Sequence, residues 1–234
     1  MKILSNKDNL QVLFEDNHII VINKRVGDLV QGDKTGDKPL SDVVKEYLKY
    51  KYNKPGAAFL GVVHRLDRPT SGLVLFAKTS KALTRLNELF KNRETQKMYW
   101  AVVKNKPSES SGELVHFLKR NEKNNTSKAH IKEVPDSKLA KLTYHITQEL
   151  TNYTVLEIDL HTGRHHQIRA QLAAINSPIK GDLKYGFDRS NSDGGIHLHA
   201  RQLSFIHPVT KLPIQIIAPT PQDAIWDSIL TKNQ

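Results

Sequence analysis

The sequence predicts an α+β protein with a mixed, mostly antiparallel central sheet flanked by helices. Strand-like and helix-like segments follow one another without the regular strand–helix–strand rhythm of a parallel sheet. Several strand candidates alternate apolar and polar residues, as in Leu156, Ile158 and Leu160 and in HLHARQLSFI, the pattern of strands covered on one face. The 234 residues, 38% hydrophobic and 25% charged, are enough for a sizeable core. That length suits one large domain or two small ones built on a shared sheet, and residues 1–234 are taken as a single domain.

The elements are predicted as follows. QVLFEDNHIIVINK reads as two strands joined by a polar turn at residues 15–17. LSDVVKEYLKYKY reads as a helix with Ser41 at its N-cap and Val44, Tyr47, Leu48 and Lys51 along one face. Residues 73–77 are a continuous apolar strand. In SKALTRLNELFKNRE, Ala82, Leu83, Leu86, Leu89 and Phe90 recur at helical spacing, and Lys91 and Arg93 suit the negative carboxyl end. Residues 98–103 return as strand. Strands resume at 141–146 and 153–160, a helix starts near His165 and runs to Ile175, and HLHARQLSFI and PIQIIAP close the sheet.

Between them, residues 105–137 change character. NKPSESSGEL and KRNEKNNTSK are polar and poor in apolar pattern, so the segment reads as a long basic loop or mobile hairpin. It is either a plain connection or a finger whose Lys119, Arg120, Lys123 and Lys128 grip phosphates. The overall charge bears on that choice. Thirty-five Lys+Arg against 24 Asp+Glu give a net charge of +11, which draws a compact protein to polyanions such as nucleic acid.

The absence of cysteine excludes disulfides, thiolate nucleophiles and Cys-ligated zinc. MKILSNKDNLQVLF lacks the apolar core of a signal peptide, and no run reaches the ~18 apolar residues of a membrane span. The expectation is a cytoplasmic protein without a membrane partner.

Two strand–turn junctions concentrate chemistry. In the first, HRLDRPTSG, Pro69 and Gly72 punctuate a loop that sets Asp67 between Arg65 and Arg68 ahead of a buried strand. An Asp so placed is either a salt bridge at a strand end or a reactive carboxylate. To stay ionised when partly buried it needs a positive partner, with Arg65, Arg68 and Arg169 as candidates. In the second, TGRHHQIR, Gly163 permits a tight turn before a helix whose polar amino end favours an anion. His165 and His166, adjacent on that helix, point about 100° apart and make a poor metal pair. His197 and His199 share a strand face and read as packing groups. No metal site is expected.

The combination resembles the RluA family of RNA pseudouridine synthases. HRLDRPTSG matches its catalytic-aspartate motif, Lys97-Met98-Tyr99 its Lys-x-Tyr segment, and TGRHHQIR its third motif. SPIKGDLKYG and LHARQLSFIHP match two further segments in order, so the resemblance covers residues 12–219. Where the family has proline after the lysine of its early strand, Lys24 is followed by Arg25. Too little chain precedes Val12 for the S4 domain of many relatives, so the core is expected to grip RNA with its own surface.

The resemblance implies the pseudouridine synthase fold and a cofactor-free isomerisation of uridine in ribosomal or transfer RNA. It implies Asp67, Tyr99 and Arg169 as catalytic residues: Asp67 the essential carboxylate, Arg169 its partner, Tyr99 a ring to stack on uracil. Arg65 is expected to fill the space left by the flipped uridine. Leu73 and Ile168 are expected to wall the base pocket, and His64, Arg164, Lys119, Arg120 and Lys123 to contact RNA. A monomer is the default. The competing readings are a non-enzymatic RNA-binding or ribosome-assembly factor and a hydrolase that releases free uracil.

Overall fold

The computed structural model describes residues 3–33 and 35–230. In chain order the elements are β1 (Val12–Glu15), β2 (Ile19–Lys24), α1 (Leu40–Lys51), β3 (Gly61–Val62), β4 (Ser71–Ala77), α2 (Ser80–Asn92) and β5 (Gln96–Val103). There follow β6 (Ser111–Asn121), β7 (Thr126–His130), β8 (Lys138–Glu149), β9 (Thr154–Leu160), α3 (Gln167–Ala174), a 3-10 turn (Leu183–Tyr185), β10 (Leu198–Ile206), β11 (Pro213–Ile217) and α4 (Ala224–Leu230). The strands are paired mostly antiparallel and the class is α+β. Where the sequence reads as one domain, the contacts gather into two compact units. One is Met1–Thr95 with Ala200–Pro221, the other Gln96–His199 with Gln222–Gln234.

In the first unit the run IIVINK forms β2, buried at all six positions. It pairs antiparallel with β1 and β4, and β4 also pairs with β3 and neighbours β10, which carries β11. Ile20, Ile22, Val74 and Phe76 meet Val43, Val44 and Leu48 of α1 in one core. Each such side chain contributes roughly 1.5–3 kcal/mol on burial. The expected Ser41 cap is not there: Pro39 precedes α1 in extended conformation, and Ser41 is buried in the first turn. The reason is local. The amides of Leu40 and Ser41 donate to the carbonyls of Leu29 and Val30, so the backbone satisfies donors that a cap would otherwise serve. Helix α2 is capped by Thr79, whose hydroxyl accepts from the Ala82 amide.

In the second unit β5, β9, β8, β6 and β7 lie side by side in antiparallel register. Side chains alternate between faces. One face carries Tyr99, opposite Ile158 and then Tyr144, and α3 packs against it, with Ala170 meeting Leu118 and Ala140. The other carries Trp100 and Val102, covered by Trp226 and Ile229 of α4, a helix the sequence reading missed. His197 and His199 stack near the Trp226 ring, as packing groups would.

Within the segment 105–137, residues 111–121 and 126–130 are the strands β6 and β7, so of the two readings the hairpin is the one seen. β6 pairs with β8 over eight positions and with β7 over five. Its apolar pattern is weak because alternate β6 positions, such as Ser111, Glu113 and Val115, are exposed, while Leu114, His116 and Leu118 turn inward.

Candidate active site

In the first unit, residues 64–70 link β3 to β4, and the end of β2 holds them in place. The Lys24 side chain, 1% exposed, ends the apolar strand with an ammonium that donates to three carbonyls: Arg25 at 2.9 Å, Arg68 at 3.2 Å and Thr70 at 2.7 Å. The Arg68 carbonyl also accepts from the Gly27 amide at 2.8 Å, and the Thr70 amide closes a turn onto the Asp67 carbonyl at 3.0 Å. Asp67, partly buried, therefore sits on a turn pinned from below at two points. A lone lysine at the end of IIVINK was the signal in the sequence, noted above only for the residue that follows it.

Gly72 lets β4 begin at this spot. It has φ +111°, and a Cβ there would lie 2.3 Å from the Ala200 carbonyl oxygen and 2.6 Å from its nitrogen. The expected local partner Arg68 pairs with Asp37 at 2.5 Å. Arg65 is exposed. His64 turns to the scaffold: its Nε2 accepts from the Leu75 amide at 3.0 Å, and its ring stacks on Phe90 at 5.0 Å. Leu73 is 2% exposed within β4.

The second unit holds Tyr99, Arg164, Ile168, Arg169 and the basic hairpin. Tyr99, 8% exposed, stands in β5 on the α3 face. The TGRHHQIR turn is stitched by Gln167, whose amide oxygen accepts from the Thr162 hydroxyl at 2.7 Å and the Arg164 amide at 3.0 Å. Arg164 is itself tied down, its Nε donating to the Leu139 carbonyl at 3.0 Å. Helix α3 begins two residues later than expected because His166 is left-handed, φ 52°. That twist places the His165 and His166 rings face to face at 3.8 Å instead of 100° apart on a helix.

Ile168 and Arg169 are both 4% exposed. The Arg169 guanidinium forks onto Asp182, Nε at 2.7 Å and Nη2 at 2.8 Å. Its central carbon lies over the Tyr185 ring, 5.0 Å from the ring centre. His166 is buried beside this group. Burial first, and then the charges of Arg169, His165, Lys184 and Arg120, push it down to about 2, so the ring is neutral.

Register divides the basic hairpin between faces. Lys119 pairs across the ladder with Lys128, whereas Arg120 pairs with Ser127, a buried residue on the α3 side, and Lys123 is exposed between β6 and β7. Two lysines directly opposite each other weaken a strand pair, and Asp136, 3.7 Å from the Lys119 ammonium, offsets part of the repulsion.

Comparison with known proteins bears on what these groups do. Residues 18–174 match the family described as RNA pseudouridylate synthase. The "Ribosomal large subunit pseudouridine synthase D" of Xylella fastidiosa is 36% identical over 228 residues, covering 92% of this chain and 67% of that protein. The "Ribosomal large subunit pseudouridine synthase C" of Vibrio vulnificus is 31% identical over 214 residues, covering 89% of this chain and 65% of that protein. The chain thus spans about two thirds of these relatives' length. Among solved structures, human RNA pseudouridylate synthase domain containing 4 superposes with a TM-score of 0.79 at 22% identity, over 95% of this chain and 93% of that one. Human RNA pseudouridylate synthase domain containing 1 gives 0.75 at 21%, over 97% and 90%. At that identity these two speak for the fold.

Proposed function

The chain belongs to the RNA pseudouridylate synthase family and works as an RNA pseudouridine synthase, and within that activity we propose that Asp67 is the carboxylate on which the isomerisation turns. The N-glycosidic bond of a uridine breaks, the detached uracil turns, and the base rejoins the ribose through C5. Substrate and product are isomers, so the balance calls for no cofactor. Asp67 either attacks ribose C1′ or takes the C2′ proton to give a glycal, and both routes need it ionised.

The observation that carries this reading is the clamp on the Asp67 turn. A buried ammonium bonded to the Arg68 and Thr70 carbonyls fixes a partly buried carboxylate in a way that a surface salt bridge does not require. In this reading Arg169 is a catalytic arginine, its plane already fixed by Asp182. Tyr99 stacks on uracil and helps remove the C5 proton after reattachment. Arg65 holds the flipped state that exposes the sugar. Leu73 and Ile168 supply apolar wall. His64 serves the site by anchoring the loop to β4, and Arg164 by bracing the turn before α3. Lys119, Arg120 and Lys123 bind RNA phosphates.

The names of the two bacterial relatives favour large-subunit ribosomal RNA as the substrate, with transfer RNA the other class to test. We place the protein in the cytoplasm as a monomer; no helix among the described residues is long and apolar enough to cross a membrane.

The test is tritium release from RNA labelled at uridine C5, with ribosomal and transfer RNA assayed separately. Wild-type protein should release tritium from one of them. Asp67→Asn should bind that RNA within a fewfold of wild type and release none. Substantial turnover by Asp67→Asn would sink the assignment. Binding without release by the wild type would turn the reading to an assembly factor, and free uracil in the supernatant to a hydrolase.

A further inference from the structure

The segment SPIKGDLKYG contains two side chains that reach Arg169 from different directions. Asp182, 1% exposed, takes two guanidinium donors, and the Arg169 guanidinium carbon lies over the Tyr185 ring at 5.0 Å from its centre. A buried ion pair is a poor source of stability, because desolvating both charges offsets their attraction. What a forked pair does supply is a fixed plane.

The same tyrosine has a second attachment. Its hydroxyl accepts from the Ser127 amide at 2.8 Å and meets His166 Nδ1 at 2.9 Å. His166 is neutral, so one proton is shared between its Nδ1 and the phenol, and the hydroxyl is engaged by both the Ser127 amide and the imidazole. Ser127 completes the link. Its hydroxyl donates to the His165 carbonyl at 2.8 Å and lies 2.9 Å from His165 Nδ1; with its one proton committed, it accepts from that nitrogen. Ser127 is the cross-strand partner of Arg120. A continuous chain of contacts therefore runs from Arg120 on the hairpin, through β7 and Tyr185, to the Arg169 guanidinium. The left-handed His166 is part of it: a conformation unfavourable for a side-chain residue is kept, and it brings Nδ1 to the tyrosine.

We propose that Asp182 and Tyr185 are positioning residues for Arg169, the carboxylate fixing the guanidinium plane and the tyrosine keying it to the hairpin that grips RNA. The inference rests on the reading that Arg169 serves the isomerisation. Neither residue needs to touch uridine. Asp182 governs the chemical step at bound RNA. Tyr185 governs it through its ring and governs RNA affinity through its hydroxyl.

The experiment is single-turnover tritium release at saturating enzyme, with RNA affinity measured separately and folding followed by circular dichroism. Asp182→Asn should lower the saturated rate about a hundredfold with RNA affinity within about threefold, the size of loss that a displacement near 1 Å produces. Tyr185→Phe keeps the ring and loses the hydroxyl, so it should weaken RNA binding about tenfold while the saturated rate falls about threefold. Tyr185→Leu loses both and should cost about thirtyfold in saturated rate as well. If Asp182→Asn does not fold, the Phe/Leu contrast still decides. Equal kinetics for Tyr185→Phe and Tyr185→Leu, or a folded Asp182→Asn with the wild-type rate, would overturn the proposal. Wild-type protein that releases no tritium would instead remove the functional reading, and the inference with it.

Discussion

Replacing Lys24 by methionine isolates the clamp beneath the Asp67 turn. Methionine is close to the lysine stem in shape, so packing against β2 is largely kept, while all three ammonium–carbonyl bonds are lost. The losses are unequal. The Arg68 carbonyl keeps the Gly27 amide at 2.8 Å and the Arg25 carbonyl keeps the Asp28 amide at 3.3 Å, so the uncompensated cost concentrates on the Thr70 carbonyl and on the geometry of the turn. Hydrogen bonds to a charged group contribute about 1.5–3 kcal/mol each, and removing a buried charge returns part of that sum. We expect a net destabilisation of about 3 kcal/mol, which lowers the melting temperature of a chain this size by about 6–12 °C.

Activity should fall further than stability implies. A turn released from two of its anchors moves Asp67, and a shift near 1 Å costs about a hundredfold in rate. The assay is thermal unfolding by circular dichroism together with single-turnover tritium release well below the melting temperature. A Lys24→Met protein with wild-type melting and wild-type rate would refute the reasoning. A protein that is less stable but equally active would show that Lys24 holds the fold and not the carboxylate.

Three other outcomes follow from the same geometry. Gly72→Ala forces a Cβ within 2.3 Å of the Ala200 backbone at φ +111°, and strain and overlap together should cost about 4 kcal/mol, read as a lowered denaturation midpoint. Changing Lys119, Arg120 and Lys123 together to glutamine should flatten the salt dependence of RNA binding by about 2 in log–log slope, and an unchanged slope would reduce the hairpin to a connection. Burial raises the Glu15 carboxyl, but hydrogen bonds from Lys51, Lys78 and Tyr52 outweigh it and hold it at about 2, below its usual 4.5. A depressed acid contributes stability that is complete above its unfolded value and lost as pH falls through the folded one. The difference in melting temperature between wild type and Glu15→Gln should therefore be constant above pH 4.5 and shrink toward pH 2.

Much of this was legible in the sequence because burial and periodicity coincide. IIVINK, the run ahead of Ala77, and Leu156-x-Ile158-x-Leu160 announce strands through residues that have nowhere to go but a core. The Asp67 and Arg169 motifs were legible through resemblance. What escaped depends on through-space partners. Ser41 looked like a cap because sequence spacing cannot show that Leu29 and Val30 already serve the first amides of α1. The hairpin could not be told from a loop because its outward face is polar. Helix α4 carries Trp226 and Ile229 in too short a stretch to establish a period. The roles of Lys24 and Asp182 were hidden for a related reason: a buried charge is recognised by its hydrogen-bond partners, and those lie up to 46 positions away.

The route of the chain between the two units has a consequence for how the protein is made. The first unit is not finished when Thr95 leaves the ribosome, since β10 and β11 are translated only after the whole of β5 to β9. The second in turn waits for α4, which follows β11 and closes the apolar cluster around Trp100, Val102 and Val155. Neither half can mature during synthesis as an independent piece. Nascent chains therefore expose unfinished strand edges until β11 and α4 have been made, and such long-range pairing makes for slow folding with a need for protection from aggregation.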